Sequence, residues 1–161
     1  MSNPDRSILG LIQKIPRGDG LAITGTFLFL VSMVFPWVSA TDDRLNIDGE
    51  ATDSMAGWLA TDVRILLAVV IICLVLAVGV RLTLDDTRLT IAFIGLAGLA
   101  IVSVTGVYLV DPYLGLTDGL LRHSGVYAGV GIYIAFIGGV LILAGVLDSL
   151  RVRRANTPPY A

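Results

Sequence analysis

Aspartate, glutamate, lysine and arginine are missing from four long stretches of the chain: residues 20–41, 65–80, 89–110 and 123–147. Charged residues make up 15% of the sequence, against about 25% in a soluble domain. A helix needs about 20 apolar residues to cross a bilayer. The four stretches therefore exclude an ordinary soluble domain and a nucleic-acid-binding module.

Cysteine and histidine are almost missing, with one residue of each in Cys73 and His123. A single cysteine excludes an internal disulfide framework and a cysteine metal cluster. A single histidine excludes haem ligation by two histidines of one protomer. Because Cys73 lies inside an apolar stretch, it is predicted to be a small buried side chain.

The spacing predicts an all-α membrane protein, a four-transmembrane-helix bundle with spans over residues 20–40, 63–80, 89–110 and 124–147. Residues 1–150 form one domain, and residues 151–161 are predicted to be a basic and then disordered cytoplasmic tail. The first stretch also fits a cleaved signal peptide, since Val38-Ser39-Ala40 resembles a cleavage site. Its length and Pro36-Trp37 favour retention. Residues 1–19 fit either a short interfacial helix or a partly ordered tail.

The first loop between spans, residues 41–62, is the most polar part of the chain and carries six of its acids. Within it, Asp48-Gly49 stands between Arg44-Leu45-Asn46-Ile47 and Glu50-Ala51-Thr52. Asp-Gly suits the two-residue turn of an antiparallel hairpin. The pattern predicts a short β-hairpin in the first outer loop.

Lysine and arginine are distributed unevenly between the two ends of the predicted spans. With the N-terminus inside, eight basic residues fall on the inner side and three on the outer side, while eight acids fall outside and five inside. Basic residues concentrate in cytoplasmic segments. The distribution predicts a multi-pass protein of the cell membrane with both termini in the cytoplasm.

Small residues recur at helical spacing within the spans. Such residues let helices approach closely in lipid, where hydrophobic burial does not drive helix association. The spacing predicts packing faces on the fourth, third and first spans, formed by Gly131, Ala135, Gly138, Gly139, Gly95, Gly98 and Gly25.

Aromatic and basic residues mark the ends of the spans. Trp and Tyr are enriched at the two membrane–water interfaces, which predicts Trp37, Trp58 and Tyr113 as interface anchors. Basic residues beside a span attract anionic headgroups. The tail residues Arg151, Arg153 and Arg154 are predicted to face lipid headgroups.

Enzyme and transport chemistry leave no sequence signature. No acid, lysine, arginine or histidine lies deep inside a span, where proton relays and ion-coupled transporters usually need one. Phosphate-loop, zinc-protease and hydrolase motifs are absent. His123 and Ser124 are adjacent, and neighbouring helical side chains point apart. We therefore expect no catalytic, metal or cofactor site and no enzymatic activity.

The layout resembles small four-span membrane proteins of unknown function from haloarchaea and actinobacteria. The resemblance rests on Phe35-Pro36-Trp37-Val38, Asp48-Gly49, Gly57-Trp58-Leu59, Gly129-Val130-Gly131-Ile132-Tyr133 and Gly138-Gly139. The topology is also similar to that of claudins, with Gly57-Trp58 as a faint echo of their first-loop motif, and of tetraspanins. The cysteines of those two families are absent.

Together these features predict a protein that acts by contact with the lipid bilayer and with membrane partners. We expect an accessory subunit or membrane organiser that binds a larger membrane protein or a second copy of itself, and no nucleic acid. The alternative is an oligomeric pore or small-solute channel lined by serine, threonine and glycine. A third reading is an enzyme accessory that holds quinone or lipid between its helices.

Overall fold

A computed structural model of the chain describes residues 16–40, 45–47, 50–52, 54–59, 61–84, 86–111 and 126–156. Its four long helices are α1 (Arg17–Ser32), α2 (Thr61–Thr83), α3 (Thr87–Val110) and α4 (Val130–Asn156). Its strands are β1 (Pro36–Ala40), β2 (Leu45–Ile47), β3 (Glu50–Thr52), β4 (Ser54–Ala56) and β5 (Val126–Ala128). A single 3₁₀ turn, Gly57–Leu59, precedes α2 in the described part of the chain.

Three segments in the described part of the chain are long and apolar enough to cross a membrane: Val63–Thr83, Thr87–Val110 and Val130–Val152. They match three of the four predicted spans and confirm a mostly helical protein compatible with a membrane. The remaining helix, α1, has only 16 residues. The structure thus gives three candidate spans and a shorter fourth helix.

The first span was predicted to be helical as far as residue 40, but α1 ends at Ser32. The amides of Met33, Val34 and Phe35 each donate to the carbonyl three residues earlier, at 3.2 Å. Such 3₁₀ turns are common where a helix ends. Pro36 then excludes further helix, because it has no N–H and disfavours the helical conformation of the residue before it.

A small antiparallel sheet follows this turn and was absent from the sequence prediction. Its strand order is β4-β1-β5, with Val38 opposite Met55 on one side and Ala128 on the other. Because β5 takes residues 126–128, α4 begins at Val130 rather than at residue 124, where the span was predicted to begin. The sheet ties the end of α1 to the beginnings of α2 and α4.

The predicted hairpin in the first loop is confirmed. Strands β2 and β3 pair antiparallel, with Leu45 opposite Thr52 and Ile47 opposite Glu50. Two residues therefore connect the strands, as the sequence predicted. These two residues, 48 and 49, lie outside the described residues.

The helices pack in the order α1, α4, α3, α2, so α4 and α3 each contact two neighbours. Helix α2 buries residues at the three- and four-residue spacing of a helix–helix seam: Val63, Leu66, Val70, Cys73 and Ala77. The burial of Cys73 agrees with the prediction. At the other end of α2, Asp86 caps α3 by accepting a 2.7 Å hydrogen bond from the amide of Arg88.

Candidate functional site

Helices α1 and α4 pack closely along a seam of small residues, which we call the glycine seam. It pairs Gly18 with Gly145, Gly25 with Gly138 and Ser32 with Gly131. A methyl group added at Gly138 would lie 2.6 Å from the carbonyl oxygen of Gly25, and one added at Gly18 would lie 2.7 Å from that of Gly145. No side chain larger than hydrogen fits there without a shift of the backbone.

The seven-residue spacing of the glycine seam explains how the two helices stay in contact over several turns. Residues 18, 25 and 32 of α1 run antiparallel to residues 145, 138 and 131 of α4. A seven-residue repeat keeps one face of each helix on its partner when the two cross at a shallow left-handed angle. The glycine seam therefore holds α1 against most of the length of α4.

The predicted packing glycines divide between two seams rather than forming one face. Gly25, Gly131 and Gly138 belong to the glycine seam. Gly139 instead faces α3, where an added methyl group would lie 2.8 Å from Val102, and Gly98 of α3 faces Ile142 of α4 at 2.8 Å. Gly95 is looser, at 3.6 Å from Val146, and Ala135 is fully buried.

Two members of the glycine seam, Gly18 and Gly145, were not among the predicted packing residues. Gly18 comes before the predicted first span, and Gly145 lies near the end of the predicted fourth span. The signal that identifies them is the matched seven-residue repeat, Gly18-Gly25-Ser32 on one helix and Gly131-Gly138-Gly145 on the other.

Several serine and threonine hydroxyl groups of α1 and α3 donate hydrogen bonds within their own helix, and those of Ser32 and Thr105 are buried. Ser32 donates to the carbonyl of Phe29 and Thr105 to that of Ile101, both at 2.6 Å. Thr24 and Thr26 donate in the same way at 2.9 Å. Each of these hydroxyl groups donates to a carbonyl of the preceding turn, so it needs no hydrogen-bond acceptor on another helix.

Trp37 lies in the protein interior with no exposed surface. Its indole Nε1–H donates to the carbonyl oxygen of Ser32 at 3.0 Å. Its ring meets that of Tyr108 edge to face, with centroids 5.9 Å apart and planes at 85°. An interface anchor needs a side chain that reaches the headgroups, so Trp37 is a core residue and not the predicted anchor.

Glycines make the space that Trp37 occupies. A methyl group added at Gly57 or at Gly131 would lie 2.6 Å from Cδ1 of the indole. The carbonyl of Trp37 accepts a 2.8 Å hydrogen bond from the amide of Gly129, just before α4. Trp37 thus joins α1, the sheet, α3 and α4 at one point.

Of the other predicted anchors, Trp58 is 56% exposed and Tyr113 lies outside the described residues. Arg151, predicted to face lipid headgroups, is exposed on α4. It lines a cleft shared with Arg17 of α1. The backbone of Arg153 and Arg154 continues α4, and their side chains lie outside the described part.

No three acidic, cysteine or histidine side chains come together as a metal site within the described segments. No family model matches the chain, and no curated protein matches it significantly.

Proposed function

We propose that the chain is a non-enzymatic integral membrane protein that crosses the membrane four times. It acts as an accessory subunit or organiser, through contacts between its outward helix faces and neighbouring membrane proteins. The observation that carries this proposal is a pair of glycines, called unused below, at which an added methyl group would meet no other described helix. Methyl groups added at Gly79 of α2 or Gly106 of α3 would meet nothing within 4 Å.

Unused glycines on outward faces favour contact with another helix. Small residues let a neighbouring backbone approach closely in lipid, and the glycines of the two inner seams are already occupied by the chain's own helices. Around Gly106, α3 exposes Leu99, Ser103 and Val107. A partner helix lying along these residues would find a shallow groove at the glycine.

Membrane insertion is supported by the apolar side chains on the outside of the helices. Ile23, Phe27, Ile72 and Ile137 are each more than half exposed. A soluble monomer rarely exposes contiguous apolar patches of more than a few hundred Å². Lipid is the solvent that accommodates such a surface.

The fourth span is supported by the way α1 lies along α4. Gly18 is beside Ser149, and Ser32 is beside Gly131, so α1 runs along nearly the whole segment Val130–Val152 that is apolar enough to cross. Sixteen helical residues reach about 24 Å, and the turn at residues 33–35 extends this towards the ~30 Å hydrocarbon core. Helix α1 is therefore proposed to cross beside α4.

The orientation follows from the basic residues at the two ends of the helices. Arg17, Arg81, Arg88 and Arg151 lie at the end away from the sheet, and Arg64 lies at the sheet end. Because basic residues favour the cytoplasmic side, we place the sheet outside and both chain termini in the cytoplasm.

A photoreactive residue at Ser103, beside Gly106, tests the contact function. We expect a discrete cross-linked product with a membrane protein or a second copy, because Ser103 lies on the proposed contact face. The measurement is the mass and sequence of the products formed in native membranes. A photoreactive residue at Phe27, which is 64% exposed on α1, is the matched control and should give lipid adducts.

The variant Gly106→Leu gives the test its specificity, since it fills the groove at a position where an added Cβ meets no atom of another element within 4 Å. It should abolish the product at residue 103 and leave the fold intact. The proposal would be contradicted if photoreactive residues at positions 103 and 27 both gave lipid adducts alone. It would also be contradicted if neither Gly106→Leu nor Gly79→Leu changed the cross-linked product formed at residue 103. A symmetric ring that conducts solute in vesicles would favour the pore.

A further inference from the structure

A cleft of about 280 Å³ opens between the beginning of α1 and the last third of α4. Its lining combines two guanidinium groups and one carboxylate with three apolar side chains: Arg17, Arg151, Asp148, Leu21, Ala144 and Leu147. The volume is near the lower end of ligand pockets, at about 300 Å³. It suits a small polar group rather than a large cofactor.

The charges of the cleft come from two different helices. Arg17 is the first residue of α1, and Arg151 belongs to the last turns of α4. Neither guanidinium forms a hydrogen bond or an ion pair of 4.0 Å or less with another described residue. Two such groups across one cleft favour a phosphate, because guanidinium donors match phosphate oxygens in geometry and charge.

The carboxylate of Asp148 further restricts which phosphate-containing ligands fit the cleft. It also lines the cleft, and an ionised carboxylate accepts hydrogen bonds and repels a second anion. A ligand that carries one phosphate and a neutral hydroxyl would satisfy all three polar side chains. A ligand with a doubly charged phosphate and no hydroxyl would leave Asp148 facing negative charge.

The apolar residues of the cleft lie further from the ends of the helices than its two arginines do. Leu21 is one turn further into α1 than Arg17, and Ala144 and Leu147 are one to two turns before Arg151 on α4. The segment of α4 that is apolar enough to cross a membrane ends at Val152. The arginines therefore stand at headgroup depth, and the apolar wall continues towards the hydrocarbon core.

We infer that this cleft binds an anionic glycerophospholipid of the cytoplasmic leaflet. The lipid phosphate lies between Arg17 and Arg151, a headgroup hydroxyl donates to Asp148, and the acyl chains follow Leu21 and Leu147. The inference rests on the proposed function, since it requires membrane insertion in the stated orientation.

Native mass spectrometry of the full chain, purified in detergent and titrated with phosphatidylglycerol, tests the inference. The wild-type chain should retain phosphatidylglycerol in preference to phosphatidylcholine, whose headgroup has no hydroxyl and no net charge. The double variant R17Q/R151Q should weaken phosphatidylglycerol binding by about 30-fold, as expected for two basic residues at an anionic surface. Both side chains are exposed, so the variant should keep the melting temperature of the wild type.

The matched control is R81Q/R88Q, which removes the same charge from the same end of the protein outside the cleft. It should leave phosphatidylglycerol binding unchanged. Glycerol 3-phosphate, which has no acyl chains, should bind far more weakly than the lipid if the apolar wall contributes. Asp148→Asn should raise the binding of phosphatidic acid, because it removes the repulsion of that doubly charged phosphate.

Equal binding of the two lipids, or equal losses in the two double variants, would overturn the inference. Extraction from cell membranes distinguishes a failure of the lipid-site inference from a failure of the proposed membrane insertion. A chain that needs detergent for extraction but shows no lipid preference is an integral membrane protein without this site. Release by alkaline carbonate alone would contradict membrane insertion itself.

Discussion

Gly138→Leu is expected to separate α1 from α4 and to destabilise the protein by about 3 kcal/mol, at the upper end for overpacked sites. Even a methyl group at this position would lie 2.6 Å from the carbonyl oxygen of Gly25 and 3.0 Å from the amide nitrogen of Phe29. Both neighbours are backbone atoms, so no rotamer change relieves the contact. The measurement is thermal unfolding in detergent, followed by tryptophan fluorescence.

Gly79→Leu is the matched control for this prediction. A methyl group added at Gly79 meets nothing within 4 Å, and glycine is about 1 kcal/mol less favourable than alanine or leucine inside a helix. The control should therefore melt at the wild-type temperature or slightly above it. If Gly138→Leu melts together with Gly79→Leu, α1 does not lie against α4 as described.

Trp37→Ala is expected to cost about 3–5 kcal/mol, the range for removing a fully buried large aromatic side chain. The variant loses the edge-to-face contact with Tyr108 and leaves a cavity between Gly57 and Gly131. It also removes the indole donor to the carbonyl of Ser32. Unfolding in detergent, followed by circular dichroism of the helices, measures the loss.

Trp58→Ala provides the comparison, because Trp58 is 56% exposed and stands only 21 residues further along the chain. A surface substitution changes stability by about 0.5 kcal/mol or less. Trp37→Phe should fall between the two variants, since a ring remains against Tyr108 but the hydrogen bond is lost. Equal stability of the two alanine variants would refute the buried position of Trp37.

The sequence predicted α2 and α3 to within three residues at each end, because charged residues stand close to both ends of each apolar stretch. Arg64 and Arg81 lie within three residues of the two ends of α2, and Arg88 and Asp111 each lie within one residue of an end of α3. The predicted end of the first span and the predicted beginning of the fourth were wrong because a sheet forms there. The fourth helix also continues nine residues past the predicted residue 147, to Asn156. Strand β5 is three apolar residues that resemble the first turn of a span, and it pairs with a strand about 90 residues earlier.

The sequence predicted which small residues pack against another helix, but not which helix each of them contacts. Small residues at helical spacing indicate close packing, whereas their direction depends on the crossing of the helices. Gly138 and Gly139 are adjacent and face different helices, α1 and α3. Trp37 shows the same limit: its burial depends on Gly57 and Gly131, which are far from it in sequence.

The most direct test of the proposed architecture is the side of the membrane on which each terminus lies. A reporter that works only in the cytoplasm is fused to residue 1 in one chain and to residue 161 in another. Four spans place both termini on the same side, so both reporters should be active, and the intact mass of the first fusion should show that residues 20–40 are retained. An active C-terminal reporter with an inactive N-terminal one would mean three spans and would contradict the insertion of α1 beside α4.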